Sequence, residues 1–313
     1  MMIRNKKDLI LLILKGIAMG TANKIPGVSG GIVALACGFY EELIFTFKKF
    51  DRKAFKLFFS GEIIKFLNHI NYKFLFFLFF GVLLSFFSVS LILDYFLINY
   101  EKNVWGLFFG MILGSIYSIR SMILDINLKK ISLILIGFVV GYLISLIEPG
   151  VERNSLLFVL ICGILSISGM TLPGFSGSYL LILAGNYKLI MVDSVNNLLE
   201  CIISVFSFNF NFFNDNEKVY MLKILLTFSL GSIFGLLTLS NILGYLLKNY
   251  KERVICLLAG FILGSLNIAW PWNYSNTEFV MNYGQFYENF VTTSLIVVGL
   301  IFVVSMELYG RKK

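Results

Sequence analysis

Histidine occurs once in the 313 residues, at His69, and charged residues make up only 14% of the chain. The apolar segments hold no histidine and no cluster of carboxylates. They therefore lack the general base, activated nucleophile or metal site that an enzyme would need, and we expect neither catalysis nor a cofactor. Cys37, Cys162, Cys201 and Cys256 have neither metal-ligand nor redox spacing and read as small hydrophobes. No Gly-x-x-x-x-Gly-Lys-Ser/Thr loop occurs, which removes the conventional ATP-binding motif. Proline is scarce as well. Two of its four occurrences interrupt apolar runs that would otherwise continue as helix.

What is abundant is apolar: 58% of residues are hydrophobic, 16% are aromatic, and mean hydropathy is +0.84. Several runs reach the roughly 20 apolar residues that cross a bilayer core of about 30 Å. The net charge of +8 does not point to nucleic acid, because the cations lie in the connectors between apolar segments. Arg4, Lys6 and Lys7 ahead of an apolar stretch resemble the start of a secretory signal. Lys15 interrupts that stretch and a Pro-Gly motif follows directly, so the segment is expected to be retained.

The two interrupting prolines sit in near-copies, Ile25-Pro26-Gly27-Val28-Ser29-Gly30-Gly31 and Leu172-Pro173-Gly174-Phe175-Ser176-Gly177-Ser178. Gly38 and Tyr40 match Gly185 and Tyr187 at the same 147-residue offset. Two further recurrences stand 150 residues apart: the stretch from Ser90 to Tyr95 with that from Ser240 to Tyr245, and Gly110 to Ser115 with Gly260 to Ser265. A duplication is the simplest origin. Backbone freed by Pro and Gly inside a membrane survives only where protein or a water-filled cavity surrounds it. Broken helices at matching places in two halves are the best sequence pointer to a transporter's substrate site.

We therefore expect an all-α polytopic membrane protein, each half a re-entrant helical hairpin followed by three transmembrane helices. In the first half, 1–150, the hairpin covers 8–45, a basic interfacial segment covers 46–73, and spans cover 74–98, 104–123 and 131–147. In the second, 151–313, the hairpin covers 155–190, with its second arm at 175–190. A polar outer loop covers 191–220, and spans cover 221–247, 254–270 and 290–308.

Three crossings per half would invert the second half relative to the first. Charge agrees with that arrangement. Of 26 cations, twenty fall at positions it places in the cytoplasm, five fall outside, and Lys24 lies in the hairpin. Both termini are then cytoplasmic, and one hairpin enters from each face.

After each Pro-Gly turn a helix begins, with Ser29 or Ser176 in its first turn. Such an end carries unpaired N–H groups and about half a positive charge, which suit phosphate or carboxylate. The candidate binding residues are Pro26, Gly27, Ser29, Gly30, Gly31, Pro173, Gly174, Ser176, Gly177 and Ser178. Lys24, just before the first turn, and Arg120, at the end of a span, add positive charge. Lys24 matches the neutral Thr171 across the repeat. Arg120 reads equally as a cytoplasmic anchor. Glu41 and its counterpart Lys188 are candidates for coupling to protons, or else interfacial residues in water. The competing reading of the turns is that their glycines only permit close packing while the serines cap helices.

At these residues, and in Met19 to Gly31 and Gly38 to Leu43, the sequence resembles the undecaprenyl-phosphate translocase family over essentially its whole length. The resemblance implies a lipid transporter in the bacterial cytoplasmic membrane. It would return the polyprenyl-phosphate carrier from the outer to the inner leaflet for peptidoglycan and other wall polymers. Many members of that family carry an acidic residue where this chain has Lys24, so Lys24 is a departure. The alternative is a channel or carrier for a small anion, which two opposed helix ends would also suit.

Overall fold

The computed structural model describes residues 6–311 except 29, 31–32, 35–36, 121–122, 124–126, 147–153, 172–175 and 275–282. The described residues form helices and their connecting turns. Helix α1 is Lys6–Lys24, α2 is Tyr40–Lys48, α3 is Arg52–Phe59, α4 is Ile63–His69, α5 is Tyr72–Asn99 and α6 is Glu101–Arg120. Helix α7 is Leu128–Leu146, α8 is Leu156–Thr171, α9 is Gly177–Leu183, α10 is Ser194–Phe206, α11 is Asn216–Ser265 and α12 is Tyr283–Arg311. A π-turn, Leu189–Asp193, leads into α10, and α11 breaks at Tyr250, where φ is −136° and ψ is 30°.

Glycine decides which helices touch. A Cβ added at Gly16 of α1 would land on the Leu78 carbonyl, and one added at Gly81 of α5 on the Ile13 carbonyl. The same reciprocal contact joins α8 to α11, where Gly163 meets Phe228 and Gly231 meets Leu160. Gly163 follows Gly16 by 147 residues, and Gly231 follows Gly81 by 150, the offsets at which the sequence recurs. Two more pairs behave alike. Gly110 of α6 meets Ile296 of α12 while Gly299 meets Leu107, and Gly260 of α11 meets Ile134 of α7 while Gly137 meets Leu257. Small residues let backbones approach, and in lipid that packing replaces the hydrophobic drive.

The second arms also end alike. Gly38 and Gly185 have φ of 69° and 72°. The next amide reaches back five residues in both, Phe39 to Ala34 at 3.0 Å and Asn186 to Leu181 at 3.0 Å. This glycine-terminated helix end needs a left-handed residue, which explains why glycine recurs there.

Six stretches among the described residues are long and apolar enough to cross a membrane: Tyr72–Asn99, Leu128–Leu146, Leu189–Phe206, Asn216–Gly235, Glu252–Asn273 and Tyr287–Met306. The span read at 104–123 corresponds to α6, which falls outside this set. Its glycines and the charged Glu101, Lys102 and Arg120 lower its hydropathy, and its apolar residues Phe108, Met111 and Ile112 are buried in protein. The loop read at 191–220 is helical as far as Phe206 and resumes helix at Asn216. Its asparagines and acids suggested a loop, yet Val192, Val195 and Cys201 are buried against the rest of the bundle. The second hairpin arm also stops earlier than read, at Leu183.

The basic segment forms two short helices outside the bundle. Asp51 caps α3 by accepting the Ala54 N–H at 2.9 Å, which holds its carboxyl below the usual range, and it also meets His69 at 3.2 Å. Phe55, Phe58, Phe59 and Ile64 are exposed beside Lys53, Lys56 and Lys65, the pattern of a helix lying on a membrane surface.

Candidate functional site

Helix α1 ends at Lys24, and the chain turns through Ile25, Pro26 and Gly27 inside the bundle. Gly27 has φ of 82°, and a Cβ there would stand 2.6 Å from the Met111 carbonyl of α6. Only glycine fits both conditions. Pro26, Gly27 and Val28 are buried. The Gly30 N–H donates to Asn23 Oδ1 at 3.1 Å. The first turn therefore satisfies this helix-start amide with its own side chain. Ser29 and Gly31 lie outside the described residues.

At the second turn Pro173 and Gly174 lie outside the described residues. Ser176 has extended backbone, φ −110° and ψ 135°, and opens α9 without capping it through its side chain. Its hydroxyl pairs with that of Ser178 at 2.7 Å, and both serines are buried. Gly177 lies against the Ser166 backbone. One turn further, the Tyr179 hydroxyl meets Ser265 Oγ at 2.7 Å.

One element ties the first turn to the second half of the chain. The Lys24 side chain is 0% exposed, and its ammonium donates to the Met191 carbonyl at 2.6 Å while lying 4.3 Å from the centre of the Phe86 ring. None of the ion pairs among the described residues involves Lys24. The Tyr187 hydroxyl donates to the Lys24 carbonyl at 2.9 Å, and its ring sits edge-on to Phe108. Ser90 of α5 donates to the Val192 carbonyl at 3.0 Å and reaches that of Met191 at 3.3 Å. Ser194 donates to the Leu189 carbonyl at 2.7 Å. The acceptors for Lys24, Ser90 and Ser194 all belong to the π-turn, whose wider hydrogen-bond register leaves carbonyls for side chains.

A buried ammonium against neutral acceptors is electrostatically incomplete. It is stabilised by a carbonyl dipole and an aromatic face, each weaker than an anion. Such an arrangement can accept an oxyanion at little further desolvation cost to the protein.

The other expected residues lie elsewhere. Arg120 is exposed at the end of α6, away from the buried turns, and Lys188 is exposed as well. The Glu41 side chain lies outside the described residues. The sequence reading did not select Asn23, Ser90 or Tyr187 as site residues. Tyr187 and Ser90 did carry a signal, since both fall in the recurrent stretches. Beyond Ser90, a cavity of about 570 Å³ is walled by Leu91 and Asp94 of α5, Asn196 and Glu200 of α10, and Lys218 of α11.

A bundle of apolar, glycine-packed helices, six stretches of which are long and apolar enough to cross a membrane, defines a polytopic helical membrane protein, and it encloses a buried cation. The chain belongs to the undecaprenyl phosphate translocase-like family, whose model matches residues 19–287. It is 31% identical to a polyprenyl-phosphate transporter of Vibrio cholerae over 259 residues, 83% of this chain and 77% of that protein. It is 28% identical to a polyprenyl-phosphate transporter of Staphylococcus aureus over 312 residues, 96% of this chain and 95% of that protein. No solved structure matches the chain significantly.

Proposed function

We propose that this protein carries undecaprenyl phosphate from the outer to the inner leaflet of the bacterial cytoplasmic membrane, without catalysis, for reuse in peptidoglycan and other envelope polymers. The observation that carries the proposal is Lys24, a fully buried ammonium beside the first Pro-Gly turn, with a carbonyl of the other half rather than a carboxylate as its partner. A phosphate monoester supplies the anion this arrangement lacks. The printed names of the two relatives support a polyprenyl-phosphate substrate.

In this reading the head group sits between the turns, near Lys24, Ser176 and Ser178, with Ser29 contributing from the first hairpin. The isoprenoid tail stays in lipid along walls such as the exposed face of α5, which carries Phe76, Phe79, Phe80 and Leu83. The expensive part of transport is dehydrating the phosphate, and a polar site in the bilayer interior lowers that cost. The two halves form an inverted repeat with both termini in the cytoplasm. The reciprocal glycine contacts at 147- and 150-residue offsets, and the matched ends at Gly38 and Gly185, support the repeat. Rocking of one half on the other would expose the site to each leaflet in turn.

The test is the amount of undecaprenyl phosphate exposed on the outer leaflet of cells lacking other recyclers. The wild-type protein lowers that exposure, and Ser29→Ala/Ser176→Ala, inserted at equal level, does not. Unchanged exposure with wild type overturns the reading and leaves small-anion transport as its successor.

A further inference from the structure

We propose that the π-turn Leu189–Asp193 is a latch between the two halves, closed by Lys24 and Ser90 and released when a lipid phosphate takes the Lys24 ammonium. The inference rests on the transport reading above and adds the step by which head-group arrival moves the protein.

The latch has two sides. From the first half, Lys24 Nζ holds the Met191 carbonyl and Ser90 Oγ holds that of Val192. From the second half, the Tyr187 hydroxyl holds the Lys24 carbonyl. The end of α1 is therefore clamped to the chain on both sides of Leu189 and Ile190.

Lys24 is the weak member of this clamp. An ammonium has three N–H donors, and Nζ makes one hydrogen bond, to Met191, in a position without solvent exposure. A phosphate oxygen is a stronger acceptor than a peptide carbonyl because the bond is charge-assisted at both ends. It also neutralises the buried charge, which Met191 does not do. Phosphate within reach of Nζ therefore competes successfully for it.

Release has somewhere to go. A π-turn carries one residue beyond the α-helical register and is held here by side chains, including Ser194 on Leu189. Without Lys24 the turn can relax toward α-helix, and one residue of register is about 100° of rotation for the helix that follows. That helix is α10. It walls the outer cavity together with Asp94, which stands one turn beyond Ser90 on the same face of α5. The latch lies at the base of this cavity, so opening it changes how α10 meets α5 and links the head-group site to the outer face.

The experiment is hydrogen exchange of the full chain in phosphatidylcholine nanodiscs, with undecaprenyl phosphate or uncharged undecaprenol added and binding of each lipid measured in parallel. In wild type, undecaprenyl phosphate speeds exchange across 189–206 about tenfold, the effect of losing one charged hydrogen bond, and undecaprenol does not. Lys24→Met exchanges fast there without any lipid and responds to neither, whereas Lys24→Arg responds as wild type does. If wild type binds undecaprenyl phosphate in preference to undecaprenol but exchange at 189–206 is unchanged or slowed, the latch is wrong and the transport reading survives. A Lys24→Met protein with wild-type exchange overturns it as well. If wild type shows no preference for the phosphate lipid, the head-group reading fails, and the latch fails with it.

Discussion

The two hairpin turns are near-copies in sequence and differ in what they hold. The first carries a cation and satisfies its own helix start, through Asn23 on the Gly30 amide. The second carries a neutral Thr171 at the matching position and presents a pair of linked hydroxyls, Ser176 and Ser178. The motif recurs in the sequence with different side chains around it. Beside the first copy Lys24 is tied to the other half, and at the second copy the Ser176 and Ser178 hydroxyls pair. The connectors that follow have diverged in the same way. Seven cations occupy 46–73, whereas 189–217 has none and carries Asp193, Glu200, Asp215 and Glu217. Such a difference in charge is what the positive-inside rule would give if, as proposed, the two copies lie upside down to each other.

The contrast between the turns can be broken in graded steps. Gly27→Ala should do most damage, because it forces a left-handed residue to carry a Cβ and drives that Cβ onto the backbone of Met111. We expect a loss of about 3 kcal/mol, read as a lower unfolding midpoint in detergent. Lys24→Met should separate function from stability. Transport falls about tenfold with the loss of a charged contact, while the unfolding midpoint holds or rises, since a buried charge without an anion gives way to an apolar side chain. A fall in both would mean that Lys24 is only structural. Next, Tyr187→Phe keeps the ring against Phe108 and deletes the bond to the Lys24 carbonyl. It should cost about 1 kcal/mol and loosen the tie between the halves, seen as faster exchange at 21–25. Asn23→Ala strands the Gly30 amide for a similar cost of about 1 kcal/mol. The matching Met170→Ala should leave the second turn's function intact, because Met170 has no amide oxygen to offer.

Much of this was legible in the chain itself. The break at Pro26, the recurrence offsets and the spans at α5, α7 and α12 follow from proline, glycine and hydropathy. What escaped had physical reasons. Helix α10 hid behind Asn196, Asn197 and Glu200, polar residues that line the cavity while Val195 is buried in the core. Helix α6 forms where the span at 104–123 was expected, with Phe108, Met111 and Ile112 buried in protein, a distinction that hydropathy does not record. The partner of Lys24 was out of reach of any side-chain pattern, since Met191 offers its backbone carbonyl, and a π-turn leaves no compositional mark. Arg120 shows the converse. A charge at the end of an apolar run left ligand and cytoplasmic anchor both open, and its exposure at the end of α6 fits the anchor.

The most direct measurement is lipid movement by the purified chain in liposomes holding undecaprenyl phosphate, followed as the share open to a soluble phosphatase outside. The account predicts that wild-type protein moves the lipid between leaflets and that Lys24→Met slows this about tenfold, with undecaprenol unaffected by either. Movement no faster than in protein-free liposomes, together with leakage of inorganic phosphate, would contradict the account and make the paired turns a path for small anions.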